Sequence, residues 1–544
     1  MSLSTSFFGT DGIRGLVQLQ PVDEDEAIRL IEEERTLTPA FMRLVGESLS
    51  YTRPALPGEG EVVVIGWDRR PGNAALIGAL TLGLRLTGSH VIHIGECATP
   101  TLHRAVLVFG ARAGCMITAS HNPVSDSGIK VFDTFGYKSN RAYEADVSQT
   151  VRQLSEEDRD VDALDREALA LPDEAFLDWS QDAHRTWLAE RWSQFETMFG
   201  SLNGAAQERF ASPFLIDCAN GFGASWVVEF LRERGMNCRE VSSSAGVLNE
   251  GCGAGDLSPT ATWTHQEAQA SSHLLLRALE VAPAGQLVGA ALDGDGDRCL
   301  FIQATDTGFA VVDGDAMAAM LLNAAADRSW LFAASIESDV ALFGHVHHLN
   351  GGTNCTETAV GDRWLSYALR PADGGWLGGS EMPRCCGIED SGHVVLSAPH
   401  PNLSDAWSLV GDGAATLCAV LLAASNQSSA TFDRGWKKRV SIKDSHRERW
   451  QASNDLFSST EKSLQVAFER LGFEAERRRI DGEPDLLLIH GISMDGVASF
   501  GIRNSGTQAK TSLSLRLSKD LDPMPFLELL ESVFEELTAV LTAD

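Results

Sequence analysis

Short apolar runs that each break off into an acidic, glycine-bearing loop recur along this chain, and no other feature restricts its possible folds so much. Residues 61–66 (EVVVIG) run into Trp67-Asp68-Arg69-Arg70, residues 214–216 into DCANG, and residues 287–292 into DGDGDR. A β-branched strand, then a helix-like stretch at 73–87, then a strand at 91–94 is the rhythm of an α/β unit built on a parallel sheet. Repetition of that plan points to related α/β domains in tandem. At 544 residues, and with roughly 150 residues per domain, three or four domains are expected.

Between these units the character changes. Residues 22–50 read as an acidic helical region, and residues 140–205 as helices on the outside, around Trp179, Trp187 and Trp192. A third block opens near Val311-Val312, and the polar stretch 425–434 (SNQSSATFDR) reads as a linker. The final block has a helix at 461–471, strands at 486–490 and 497–502, a polar loop, then a strand and a helix, which is a compact α+β pattern.

Charge and cysteine usage exclude several roles. With 44 basic and 75 acidic residues the net charge is −31, a poor surface for nucleic acid or an anionic membrane. A small anionic substrate is also repelled at long range, so a phosphate site must gather its own cations. No apolar run reaches the roughly 18 to 20 residues that span a bilayer, and the first residues lack a signal-peptide pattern, so a cytoplasmic protein is expected. The ten cysteines show no C-x-x-C spacing and read as small core residues.

Four stretches carry chemistry. Residues 115–130 (CMITASHNPVSDSGIK) lift Ser120 from a strand end beside His121, ten residues before Lys130: a nucleophile or group carrier with an acid or base nearby. Asp293, Asp295 and Asp297 alternate with glycines after a strand and can converge on one hard cation. An EF-hand is excluded, because Arg298 and Ala304 stand where that loop needs glycine and an acid. A strand followed by D-x-D also suits a phosphatase with Asp293 as nucleophile. Glu389, Ser391 and His393 suit sugar hydroxyls, and Arg503, Ser505, Gly506 and Thr507, with Lys510 beyond, suit a phosphate dianion.

FFGTDGIRG at 7–15, TASHNP at 118–123 with DSGIK at 126–130, DGDGDR at 293–298, EDSGH at 389–393 and RNSGT at 503–507 together resemble the α-D-phosphohexomutase superfamily, in order and along essentially the whole chain. The bacterial phosphoglucosamine mutases are the most similar branch, sharing elements like LNEGCG at 248–253 and VGDR at 360–363. The resemblance implies three α/β domains with mixed sheets and a more mobile C-terminal α+β domain around a central cleft. The expected boundaries are 1–205, with a helical insertion at about 140–205, then 206–308, 309–430 and 431–544. It also implies a phosphoserine at Ser120, with Lys130 as general acid/base and His121 and Arg14 in support. Mg2+ would be held by Asp293, Asp295, Asp297 and a Ser120 phosphate oxygen. Arg298, Glu389, Ser391, His393, Arg503, Ser505, Gly506 and Thr507 would bind the substrate.

The implied reaction moves phosphate between C1 and C6 of a hexose, with a hexose 1,6-bisphosphate as intermediate and activator. Glucosamine phosphate is the expected sugar, with mannose or glucose phosphate as alternatives. A phosphatase, or a non-catalytic protein that binds a small phosphosugar, are the other readings. Ser127 stands where asparagine is frequent, and Gln508-Ala509 replaces a frequent Glu-Pro pair.

Overall fold

The computed structural model describes residues 6–52, 61–157, 163–202, 209–426, 432–505 and 509–542. Four sheets follow one another along the chain. The first has six strands in the order Thr36–Leu37, Ile13–Val17, Asp126–Asp133, Ala113–Ile117, Val62–Trp67 and His90–Glu96. Val62–Trp67 runs parallel to both of its neighbours, but Asp126–Asp133, in the middle of the sheet, runs antiparallel to both of its own, so the sheet is mixed. Both faces are covered, which explains the uninterrupted apolar run at 62–65. Val63 and Ile65 face the helices Pro39–Tyr51 and Asn73–Leu86, while Val64 faces the helix Thr99–Val108.

The expected helical region at 22–50 is two helices, Glu24–Glu33 and Pro39–Tyr51. The break follows from Thr38, whose side chain accepts the Phe41 N–H as an N-cap, and from Pro39 in the first turn, where its missing N–H costs nothing.

The second sheet orders its strands Cys238–Glu240, Phe210–Asp217, Leu287–Leu292, Cys299–Ala304, Gly308–Val312 and Thr262–Thr264. Val311 and Val312, expected to open a third block, therefore close the second sheet against Cys299–Ala304. The third sheet is built from Asn354–Thr358, Leu331–Ser335, Cys385–Ile388, Val394–Pro399, Ala406–Gly411 and Leu377–Gly378, again mixed. The second and third sheets share one core through the helices Gly314–Ala324 and Gly413–Ser425. Gly413–Ser425 is buried at every position, as its all-round apolar sequence requires.

The last sheet is antiparallel throughout, with five strands in the order Trp436–Lys443, Lys510–Leu517, Val497–Asn504, Leu487–Ile492 and Glu474–Arg478. Leu487 and Ile489 face the helices Asp455–Arg470 and Met524–Leu541, whereas Leu488 packs on Ile336 beside the third sheet. The chain enters this unit through a knot of ion pairs. Arg434 pairs with Asp313, and Lys437 Nζ lies 2.8 Å from Asp390 and 3.2 Å from Asp315. The Gly435 N–H donates to Asp339 at 2.9 Å.

The helix Trp179–Phe199, expected on the outside, exposes one face, with Asp182, Thr186, Glu190 and Ser193, and buries the other. The Trp187 ring stacks on His103 at 6.0 Å, Trp192 meets Phe230 edge-on at 6.2 Å, and Phe199 stacks on Trp330 at 6.5 Å. Those three partners belong to regions built around the first, second and third sheets, so one helix ties all three together. All ten cysteines are free thiols, and nine are buried. No helix among the described residues is long and apolar enough to cross a membrane.

Candidate active site

The strand Ala113–Ile117 ends in a loop that is held from behind. The Thr118 hydroxyl donates to Asp68 at 2.6 Å and accepts the Ser120 N–H at 2.8 Å. Ser120 then turns into the left-handed region at φ 54°, a conformation that costs a non-glycine residue roughly 1–2 kcal/mol. Its carbonyl accepts from Arg70 Nη2 at 2.7 Å and from Asn249 Nδ2 at 2.8 Å. Arg70, fixed by Asp68 at 2.9 Å, also donates to the carbonyls of Asn122 and Asp126. With its backbone secured on both sides, Ser120 points its hydroxyl inward, 2.9 Å from Asp293 Oδ2.

Asp293, Asp295 and Asp297 converge as their alternation predicts, with one carboxylate oxygen of each within 4.8 Å of the others, all buried. Asp293 Oδ1 accepts the N–H groups of Asp297 and Arg298 at 3.1 Å, which curls the loop. Burial, then the neighbouring Asp297 and Asp295, push the Asp293 carboxyl up to about 7. Asp295 Oδ2 accepts from Thr99 at 2.6 Å and from Lys130 at 2.7 Å. Its other oxygen, Oδ1, is buried with no hydrogen-bond partner. A bare carboxylate oxygen beside two more carboxylates and a serine hydroxyl is a donor set for a hard divalent cation.

Two lysines answer this charge. Lys130, opposite Met116 in the sheet and 1% exposed, places Nζ 2.7, 2.8 and 3.1 Å from Asp295, Asp297 and Asp11. Burial would lower its ammonium pKa, but Asp11, Asp295 and Asp297 outweigh burial and hold it well above the usual lysine range. Lys138 bridges Asp11 at 2.8 Å and Asp362 at 2.7 Å. Arg14 joins the same network, 3.2 Å from Asp11. His121 stands to one side with Nδ1 buried and unpartnered; Arg298, then burial, press its imidazole down to about 3.

The sugar-binding candidates adjoin the acidic loop. His393 Nδ1 lies 2.6 Å from Glu389 and Nε2 3.0 Å from Asp297. Burial and Arg298 oppose its charge, yet Asp297 and Glu389 raise it to about 10, so it is an imidazolium spanning two carboxylates. Glu389 also accepts the Gly361 N–H at 2.6 Å, and Ser391 is partly exposed beside it. Two backbone bonds bring these loops together: Cys299 N–H to the Gly392 carbonyl, 3.0 Å, and Gly413 N–H to the Gly296 carbonyl, 2.9 Å. Gly413 must be glycine, since a Cβ there would lie 2.3 Å from the Arg298 carbonyl oxygen.

Arg503 and Ser505 lie apart from this cluster, lining a cavity of about 330 Å³ that also meets residues 8–10 of the first unit. Arg503 is 3.3 Å from Glu483 and 3.3 Å from Glu337. Gly506 and Thr507 fall outside the described residues. Asp11, Lys138, Asp362, Thr99 and Arg70 are site residues that the sequence reading did not single out. Asp11 and Asp362 stand inside motifs already noticed, FFGTDGIRG and VGDR, and that was the available signal. Lys138 offered none.

A profile of the phosphoglucomutase/phosphomannomutase α/β/α domain I matches residues 5–158. A phosphoglucosamine mutase from Rhodococcus erythropolis is 32% identical over 420 residues, 75% of this chain and 77% of that one. The chain belongs to the α-D-phosphohexomutase superfamily. It is a phosphohexomutase by that membership. Among solved structures, a phosphoglucomutase/phosphomannomutase family protein from Burkholderia thailandensis superposes with a TM-score of 0.60 at 16% identity, covering 99% of this chain and 98% of the other. An Aspergillus fumigatus N-acetylphosphoglucosamine mutase, solved with GlcNAc-6P and magnesium, gives 0.52 at 14% identity, covering 92% and 98%. Because the matched domain runs to residue 158, the helix Arg141–Ser155 is part of the family's first domain.

Proposed function

We propose that this phosphohexomutase interconverts glucosamine 1-phosphate and glucosamine 6-phosphate in the cytoplasm, through a phosphoserine at Ser120. The observation that carries the chemistry is the buried Ser120 hydroxyl 2.9 Å from Asp293 within a triplet of carboxylates. The choice of sugar is supported by the phosphoglucosamine mutase that matches three quarters of the chain.

In the first step the bond between phosphorus and the Ser120 oxygen breaks as one forms to the free hydroxyl of the bound hexose phosphate. Lys130, held protonated by Asp11, Asp295 and Asp297, gives a proton to the departing serine oxygen and, neutral for that moment, takes the one that the sugar hydroxyl loses, so it ends the step as it began. The hexose 1,6-bisphosphate turns over in the cleft, and its other phosphate returns to Ser120 by the reverse step. His121 and Arg14 support the Ser120 loop with positive or neutral donors. Arg298, Glu389, Ser391 and His393 orient the sugar, and Arg503 with Ser505 holds the phosphate that is not reacting. Gly506 and Thr507 complete that loop in the sequence.

Asp293, Asp295, Asp297 and a phosphate oxygen on Ser120 would hold Mg2+, and the unpartnered Asp295 Oδ1 fits that role. Bound there, the ion neutralises charge on the transferring phosphoryl group. The partner is a small phosphosugar rather than nucleic acid or membrane, as the net charge of −31 favours.

Phosphorus NMR tests this reading. The protein, with Mg2+ and a trace of hexose bisphosphate, is offered glucosamine, N-acetylglucosamine, glucose and mannose 1-phosphates in turn. Conversion of the glucosamine ester to its 6-phosphate, lost in Ser120→Ala, is the expected result. Conversion of mannose or glucose phosphate alone reassigns the sugar, and release of free phosphate would point to a phosphatase.

A further inference from the structure

We propose that Arg141 is a second cation for the substrate's non-reacting phosphate, gripping it from the first unit while Arg503 grips it from the fourth. This rests on the phosphohexomutase reading for the sugar, but the anion site itself is argued from charge and geometry.

A phosphate monoester carries close to two negative charges near neutral pH. Arg503 brings one positive charge, and that charge is already shared between Glu483 and Glu337. Arg439 sits 2.6 Å from Glu337 and competes for it, so Glu337 draws less on Arg503 than its distance suggests. A dianion entering the cavity therefore needs a further cation. Among the described lining residues the other cation is Arg141.

Arg141 is placed for that task. It opens the helix Arg141–Ser155, whose N-cap Asn140 is committed to the Tyr143 N–H at 2.9 Å. Its guanidinium lies over the Trp364 ring, 5.6 Å from the centroid, which limits its rotamers and leaves its edge donors pointing away from the ring. It forms no ion pair with any described carboxylate. Burial, together with the nearby guanidiniums of Arg363 and Arg503, disfavours its charge, and Glu483, then Glu144, oppose them. Glu483 answers both arginines at once, being ion-paired to Arg503 and stabilised by Arg141. It occupies the electrostatic place that a phosphate oxygen would take. Thr10, Asn504 and Ser505 line the same space and add polar groups for the remaining oxygens.

Phosphate held this way bridges residues on the first and last units, and it does so whether the sugar presents its 1- or its 6-phosphate. The grip is therefore indifferent to the orientation of the intermediate.

Calorimetric titration in a Ser120→Ala background, where no phosphoryl transfer intervenes, tests the assignment. The probes are glucosamine 1-phosphate, glucosamine 6-phosphate, free glucosamine and inorganic phosphate. Loss of one charge-assisted contact predicts that Arg141→Gln weakens both esters and inorganic phosphate about ten- to a hundredfold. Free glucosamine should be unaffected, and Arg141→Lys should recover part of the loss. Equal affinity of Arg141→Gln and its parent for the esters and for phosphate would overturn the proposal, as would an inert response to phosphate in both. An Arg141-dependent phosphate site in a protein that converts no hexose phosphate would instead sink the mutase reading and leave this one standing.

Discussion

The bond between Arg191 and Asp412 offers the sharpest test of how the helix Trp179–Phe199 acts. Asp412 Oδ2 accepts from Arg191 Nη1 at 2.6 Å and lies 3.1 Å from His184 Nε2, while Oδ1 caps the helix Gly413–Ser425 through the Ala415 N–H. Burial would raise the Asp412 carboxyl, but His184 and Arg191 hold it at about 2. Arg191 is 1% exposed, and its Nε and Nη2 have no hydrogen-bond partner. Among the described residues its ion-pair partner is Asp412, with Trp187 and Phe195 under the guanidinium. Asp412→Asn strands that buried cation and should cost about 3–5 kcal/mol. Arg191→Met should cost about 3 kcal/mol, the low end of the same range, because the carboxylate keeps its hydrogen bonds to His184 Nε2 and the Ala415 N–H. The double variant removes both charges and keeps the cap, so it should lose well under the sum, with a coupling energy of about 2–3 kcal/mol. Scanning calorimetry of the four proteins measures this, reading the transition that contains the first three sheets. Strict additivity of the two single losses would refute the account of a mutually dependent buried pair.

Three other outcomes are expected. Arg70→Lys, which keeps a cation beside the buried Asp68, should leave the protein folded yet lower turnover at least about a hundredfold, since the Ser120 loop loses the forked donor that fixes its carbonyls; unchanged kcat would show that the loop holds itself. His103 donates Nδ1–H to the Gly136 carbonyl at 2.6 Å and accepts from Ser408 at Nε2, so it is neutral, and burial holds its pKa down to about 4. Its contribution is complete above the unfolded value near 6.5 and is lost as pH falls toward 4, amounting to about 2 kcal/mol between pH 7 and pH 5. His103→Asn should flatten that part of the stability–pH curve, and an unchanged slope would exclude it. Chelation of divalent cations should stop turnover, Mg2+ should restore it, and Asp295→Asn should weaken Mg2+ in a direct binding titration by about ten- to a hundredfold. Full activity in excess chelator would end the metal assignment.

Much of the first sheet and of the acidic loop was legible, because both are local. The strand Leu287–Leu292 runs straight into the three aspartates that share its end, and alternation at 293–297 suffices to make their carboxylates converge. Arg70 was illegible, because its partners are backbone carbonyls some fifty residues away that no side-chain pattern announces. The helix Trp179–Phe199 was misplaced for a related reason. It does bury one stripe, but Ser180, His184 and Arg191 stand in that stripe among Trp187, Leu188, Trp192 and Phe195, so the buried face does not read as apolar in the sequence. Val311 and Val312 could belong to either neighbouring sheet by composition, and only the pairing with Cys299–Ala304 decides between them.

The ion pairs at Arg434 and Lys437 fix one edge of the C-terminal sheet to Asp313, Asp315 and Asp390. Arg503 stands two strands further in, across Lys510–Leu517, a lever arm of about 10 Å at the usual strand spacing. A swing of about 10° around that edge, which must also loosen Leu488 from Ile336 and Arg516 from Glu357, displaces such an arm by roughly 2 Å, enough to carry a guanidinium out of hydrogen-bond range. Lys437, at the fulcrum, hardly moves, and neither does the Asp390 it holds. On the proposed assignment of Arg503 to the phosphate and of Glu389 and His393 to the sugar, such a rotation would free the one and leave the other held.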